Sequence, residues 1–280
     1  MPTNYCELDI LDNVHEYETI QLPEGVFHIK CLLQCSNIIL KGAGLDKTFI
    51  VFDDYAKKLD ENYFLYNTFR SWTMAVCGDN VAMEDLTILN EAGQPETKGQ
   101  QIALTVYGDN FKMRNCRLSS TQDTLFLGPL PDDLIKRYDG FLPNHLRAKK
   151  QCRQSFENCL IEGTIDFIFG SGEATFDHCE LRSLKDVRNT GFVAAPSHGL
   201  AQEQGFVFRN CVFTAEDGVE DGSIYLARPW RDHGMCEFID CIYGSHISPL
   251  GFDHWSGTER EKTARFHETP CVQGRVSWVK

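Results

Sequence analysis

Apolar and polar residues alternate along much of this 280-residue chain with a period of two, and the alternation itself repeats. Met74-Ala-Val-Cys-Gly78-Asp79-Asn80-Val-Ala-Met83-Glu-Asp-Leu86-Thr-Ile88 aligns with Leu104-Thr-Val-Tyr-Gly108-Asp109-Asn110-Phe-Lys-Met113-Arg-Asn-Cys116-Arg-Leu118 at a constant offset of 30. A shorter core recurs as Phe156-Glu-Asn-Cys159, Phe176-Asp-His-Cys179, Phe208-Arg-Asn-Cys211 and Phe238-Ile-Asp-Cys241. A large apolar residue, a polar corner and a cysteine lead into an alternating pair such as Cys179-Glu-Leu181. Period two with a kink predicts short strands joined by tight corners. Successive Met/Phe positions 83, 113, 156, 176, 208 and 238 are separated by steps of 30, 43, 20, 32 and 30. The shortest step is the bare unit, and the longer ones carry looped insertions at the same register. Such a unit is too short for a propeller blade and has no amphipathic helix. It predicts an all-β solenoid, a coil of parallel strands in which each turn buries Phe, Cys and Leu against the next.

The same pattern sets the domain organisation. Residues 1–25 read as an N-terminal segment, with Thr19-Ile-Gln-Leu-Pro-Glu-Gly25-Val-Phe-His-Ile-Lys as the first strand and turn. Residues 128–150 read as an inserted loop, and 249–280, where the repeat fades, as a C-terminal wrap. Residues 1–280 then form a single domain.

Composition adds exclusions. The 27 Lys+Arg against 40 Asp+Glu give a net charge of −13, which opposes binding to nucleic acid or anionic membrane. A hydrophobic content of 42% is that of a globular chain, and no apolar stretch is long enough to span a bilayer. The 12 cysteines could be a disulfide framework. However, Met1-Pro-Thr-Asn-Tyr-Cys6 lacks a cationic-then-apolar secretory pattern, so they read as reduced, buried thiols of a cytoplasmic protein, or of a secreted one if a leader is removed. Cys31-Leu-Leu-Gln-Cys35 is the one close pair and has no partner pair, so no structural metal is expected. A monomer is the working state.

The repeat also places the carboxylates. Asp123 lies ten residues after Met113 and Asp166 ten after Phe156, and their surroundings match at offset 43: Cys116/Cys159, Leu118/Ile161, Thr121/Thr164, Leu125/Ile168 and Phe126/Phe169. The two aspartates are therefore expected at one phase of adjacent coils, roughly 4.8 Å apart. At that distance one holds a proton while the other is ionised. A stack of solvated aspartates is the bland alternative. Several neighbours weigh against it: Phe169 beside Asp166, the amide of Gln122 beside Asp123, and the further amides of Gln100 and Gln101. Arg228 lies ten residues before Phe238, as Asp166 lies ten before Phe176, which places it at the same phase two coils on. There it would keep one carboxylate ionised. Trp230 would share its face, and with Phe126 and Phe169 would form a platform for sugar rings. No Gly-x-Ser-x-Gly elbow occurs, which argues against a serine esterase. On residue types alone, a glycosidase, a lyase and a non-catalytic carbohydrate-binding solenoid stay open beside an aspartate-based esterase.

These residues carry a family resemblance. Gln100-Gln-Ile-Ala-Leu104 is similar to the Gln-Ala-Val-Ala-Leu segment of pectin methylesterases. Gln122-Asp-Thr-Leu125, Asp166-Phe-Ile-Phe-Gly170 and Leu226-Ala-Arg-Pro-Trp230 resemble that family's other signature blocks, in the same order. The similarity runs from Asn37-Ile-Ile-Leu-Lys-Gly-Ala-Gly44 to Trp255. Gly128-Pro-Leu-Pro131 and Gly244-Ser-His-Ile-Ser-Pro249 are similar to bacterial forms lacking a leader. The resemblance implies a right-handed parallel β-helix that removes methyl esters from galacturonate in methylated homogalacturonan or oligogalacturonides, releasing methanol without a cofactor. It further implies that Asp166 is the nucleophile and Asp123 the acid and then the base. Gln122 stabilises the oxyanion with Gln100 assisting, and Arg228 holds Asp166 ionised. Trp230, Phe126 and Phe169 line the sugar groove, and Thr68 matches a substrate-contacting threonine.

Two departures stand out. The family's Gly-x-Tyr-x-Glu block appears as Gly25-Val-Phe27-His-Ile29, without the Glu, and Ala227 replaces a Gly, where its methyl would narrow the groove floor. The cationic stretch of Lys136, Arg137, Arg147, Lys149, Lys150 and Arg153 reads as a solvated surface loop, with contact to free carboxylates at the groove edge as the functional alternative.

Overall fold

The computed structural model describes residues 5–6, 15–93, 95–137 and 152–279. Three parallel sheets of nine, seven and nine strands run along the molecule, and with few exceptions each strand pairs with the third one along the chain. Each coil thus gives one strand to every sheet, and the chain forms a right-handed parallel β-helix.

The sequence ladder is realised rung by rung. Met83 pairs with Met113, Met113 with Phe156, and then Phe156, Phe176, Phe208 and Phe238 follow in one column. The unequal steps leave the register intact because the extra residues leave the coil between strands. The rings of Phe156, Phe176, Phe208 and Phe238 stack at 4.8, 4.7 and 4.8 Å with planes within 14°. That is the inter-strand spacing itself, so the backbone ladder dictates the ring stack. Cys159, Cys179 and Cys211 pack beside it, each Sγ donating to a carbonyl one coil earlier, of Met113, Phe156 and Phe176 at 3.6, 3.5 and 3.4 Å. Burial pushes the Cys116 thiol up to about 12, which makes it a packing group rather than a nucleophile. Among the described residues Cys116, Cys159, Cys179, Cys211, Cys236 and Cys241 are free thiols.

The polar corner before each cysteine has a backbone cause. Asn115, Asn158, His178, Asn210 and Asp240 adopt φ of 51–52°, the left-handed region. Asn and Asp enter it at least cost among residues with a side chain, because their short polar groups bond locally. At Asn158 the chain turns between the strands Arg153–Glu157 and Leu160–Gly163, so the corner separates two sheets.

Both ends extend the coil further than the repeat suggests. Tyr5–Cys6 pairs with Gly25–His28, adding a rung from the N-terminal segment. Arg265–Thr269 pairs with Met235–Ile239, so residues 249–279 include one more strand before they close the end. There the rings of Phe252, Phe266 and Trp278 pack 5.5–6.3 Å apart. Ala227 is fully buried in the main core, so its methyl does not reach the groove floor. Phe27, where the altered block stands, is also core. Of the expected inserted loop, the described part carries the helix Asp132–Arg137 with Leu134 buried; the remainder, with Asp139, Arg147, Lys149 and Lys150, lies outside the described residues. Arg153 does not belong to a free cationic loop: it starts a strand, and its Nε donates to Asp109 at 3.0 Å.

Candidate active site

The seven-stranded sheet carries the chemistry. Its strands Leu104–Val106, Leu125–Leu127, Ile165–Gly170, Gly191–Pro196 and Ile224–Ala227 lie side by side. Leu125 pairs with Ile168 and Phe126 with Phe169, so the 43-residue offset holds across the site. Asp123 lies two residues before the strand Leu125–Leu127 and donates its backbone N–H to Ile165 O at 3.0 Å. Asp166 therefore follows on the adjacent coil. Both aspartates take left-handed φ values, 67° and 50°. Such a conformation inside or beside a strand is sparsely populated and breaks the simple in/out alternation, here at two residues of the candidate site.

Asp123, Asp166, Gln100, Gln122, Arg228, Trp230, Phe169 and Thr68 line one cleft of about 390 Å³. Phe126, expected in the groove wall, is instead fully buried below it. It packs against Phe69, Tyr107 and Phe169 at 5.1, 5.5 and 5.0 Å, and so supports the wall from behind. Gln101 is also buried, its amide donating to Gly93 O and Gly99 O at 3.0 and 3.1 Å, and it braces the loop before Gln100.

Arg228 makes the defining contact. Its Nε and Nη2 donate to the two carboxylate oxygens of Asp166 at 2.8 and 2.7 Å. The route differs from the one the residue count suggests. Ala227 is level with Ala194, which is level with Ile168, so Arg228 starts beyond the rung of Asp166 and its long side chain reaches back. An irregularity between Ile165 and Ile168 shifts the register there, which the ten-residue count does not see. The guanidinium is held in a slot of two rings, its carbon 3.7 Å from the centroid of Phe192 and 4.1 Å from that of Trp255. Trp230 meets Phe169 edge-on at 5.7 Å, and Arg231 lies over its ring at 4.8 Å.

Burial of both carboxyls sets their proton affinities. Asp123 and Asp166 are 7% and 8% exposed. Burial first, and then the neighbouring charge of Asp166, hold Asp123 well above the usual carboxylate range. Burial raises Asp166 as well, but the charge and hydrogen bonds of Arg228 oppose it directly. Of the pair, Asp166 is the ionised partner and Asp123 the protonated one.

Several cleft residues carry no repeat signal. Phe69, Leu134, Ala195, Arg231 and Trp255 also face the cleft. Trp255 lies in the segment where the repeat has faded, so no spacing could place it beside Arg228. Phe192 pairs with Ile165, next to Asp166, and placing 191–196 as the next strand would have found it.

A carboxylate gripped by an arginine beside a second carboxyl of raised proton affinity is an arrangement able to carry out acyl transfer, the chemistry of a hydrolase, on a β-helix. Comparison with known proteins narrows that class. The family model described as Pectinesterase matches residues 9–129 and 144–278, and the chain belongs to that family. Pectinesterase 31 of Arabidopsis thaliana is 28% identical over 99% of this chain and 84% of its own length. The chain spans 39% to 65% of three other Arabidopsis thaliana relatives. Among solved structures, a pectin methylesterase from Yersinia enterocolitica superposes with a TM-score of 0.76 at 27% identity, covering 89% of this chain and 83% of that one. The pectin methylesterase from carrot gives 0.78 at 24% identity over 94% and 78%, and one in complex with a hexasaccharide gives 0.76 at 24% over 96% and 81%.

Proposed function

We propose that this pectinesterase removes methyl esters from galacturonate units of pectin through Asp166 as nucleophile and Asp123 as proton donor and acceptor. The observation that carries the reading is the two-point grip of Arg228 on a buried Asp166, next to a second buried carboxyl whose proton affinity is raised. A carboxylate is a weak nucleophile unless it is ionised, oriented and partly dry, and Asp166 meets all three conditions. Its oxygen attacks the ester carbonyl, and the negative charge moves to the carbonyl oxygen, where an N–H of Gln122 meets it. Collapse expels methoxide, which takes the proton of Asp123 and leaves as methanol. Asp123, now a carboxylate, removes a proton from water; the hydroxide attacks the acyl carbon, Asp166 departs, and both groups return to their starting states. Trp230, Phe169, Thr68 and Gln100 bind and orient the sugar chain.

A methylated galacturonate is neutral, so the net charge of −13 does not oppose its approach. The thiols of Cys159, Cys179 and Cys211, packed between coils, support a reducing compartment, and there short oligogalacturonides, taken by a monomeric enzyme, are the fitting substrates. Methanol release from methylated oligogalacturonides and from pectin tests the assignment. Wild type yields methanol with no new reducing ends and no unsaturated product, whereas Asp166→Asn yields none while keeping its β-rich circular dichroism. Cleaved chains in place of methanol would point to a glycosidase or lyase instead.

A further inference from the structure

The loop between the strands Glu180–Ser183 and Gly191–Pro196 delivers a second arginine that the proposed reaction does not use. Asp186, its side chain almost fully buried, grips Arg188: Nε donates to Oδ1 and Nη2 to Oδ2, both at 2.6 Å, and the Arg188 backbone N–H donates to Oδ1 at 2.9 Å. This clamp leaves Nη1 to donate to Oε1 of Gln122 at 3.4 Å.

From this geometry we infer that Arg188 is a positioning residue that fixes which end of the Gln122 amide faces the reacting ester. The inference rests on the esterase reading above and goes one step deeper into the same site. A primary amide is nearly symmetric in shape, with an acceptor oxygen at one end and two N–H donors at the other. A guanidinium offers only donors, so it accepts the oxygen end of Gln122 and repels the NH2 end. The NH2 group is thereby turned away from Arg188, on the side of Asp123, with its hydrogens available to the ester oxygen. With the amide reversed, a lone-pair-bearing oxygen would face the developing oxyanion, a repulsive arrangement at the point where charge grows. The clamp by Asp186 keeps the guanidinium in place although a little over a third of the Arg188 side chain faces solvent.

A double-mutant cycle on methanol release tests this. Arg188→Ala is expected to lower kcat about tenfold or more with KM within about twofold, because an oxyanion donor is misoriented while the groups that bind the sugar chain stay in place. In a Gln122→Ala background the same substitution should cost several-fold less, since no amide is left to orient and only the loss of its charge near Asp123 and Asp166 remains. Asp186→Asn, which loosens the clamp, should fall between wild type and Arg188→Ala. Crystal structures of wild type and Arg188→Ala give a readout independent of turnover: the Gln122 side chain should leave its place against Asp123 in the variant. Independent, multiplicative effects of the two substitutions, a rise in KM with kcat unchanged, or an unmoved Gln122 would each overturn the inference. Absence of methanol release in wild type would count against the esterase reading alone, and the two crystal structures would still decide the role of Arg188.

Discussion

Removing the guanidinium of Arg228 separates the charge on Asp166 from its burial. In Arg228→Ala the Asp166 residue, 8% exposed in the wild type, stays covered by its other neighbours but loses both donors, at 2.8 and 2.7 Å. Arg188 still lends it positive charge, while Asp123 and Asp253 face it as acids. A hydrogen bond to a charged group contributes about 1.5–3 kcal/mol. Taking the low end for two such bonds, because a fifth of the Arg228 side chain faces solvent, the ionised form loses about 3 kcal/mol. At about 1.4 kcal/mol per factor of ten, its population at a pH where it is scarce falls roughly a hundredfold. The sign follows from which form reacts: the nucleophile must be deprotonated, so a higher proton affinity moves the acidic limb of kcat/KM to higher pH. Methanol release measured across pH should show a loss of about a hundredfold on the acid side that shrinks as pH rises, until Asp123 itself deprotonates. Arg228→Lys, which keeps charge but neither the fork nor the stack between Phe192 and Trp255, should lie in between. A loss of equal size at every pH would refute the electrostatic argument and leave Arg228 as a packing residue. Melting curves of the variant separate that outcome from collapse of the emptied slot.

Two more outcomes follow from the same geometry. Asp123 binds its proton more tightly folded than unfolded, so its contribution to stability falls as pH rises from about 4, the unfolded value, toward its folded value; Asp123→Asn should therefore melt higher than wild type at neutral pH, by a margin that grows by up to ~1.4 kcal/mol per pH unit and vanishes in acid, and a margin independent of pH would contradict this. Phe208 is fully buried between the rings of Phe176 and Phe238, so Phe208→Ala should cost about 3–5 kcal/mol in chemical denaturation, and a loss below about 1 kcal/mol would mean that the stack closes over the gap.

The coil was legible in the sequence because its repeat is written in residues that can do only one thing. Asn and Asp turn the left-handed corner, Phe fills the column, and Cys is small and apolar enough to sit between coils. Counting from Met83 to Phe238 therefore reproduces the register, and the offset of 43 brings Asp123 and Asp166 onto neighbouring coils. The same counting misplaced Phe126, because period two does not say which of two apolar rings faces the cleft and which lies under it. It gave Arg228 the right neighbour through the wrong rung, since a bulge at Asp166 changes the count and a long side chain makes up the difference. Trp255 and Arg188 were silent. Each reaches the site from a loop or a later coil, and such positions depend on where insertions fold back rather than on the repeat. Local pattern determined the ladder and the pair of acids on it, since short-range sterics and burial act on neighbouring residues. The reach of Arg228 to Asp166, the burial that raises Asp123 and the placing of Arg188 against the amide were decided only by tertiary structure, because electrostatic partners act through space between residues the chain keeps far apart.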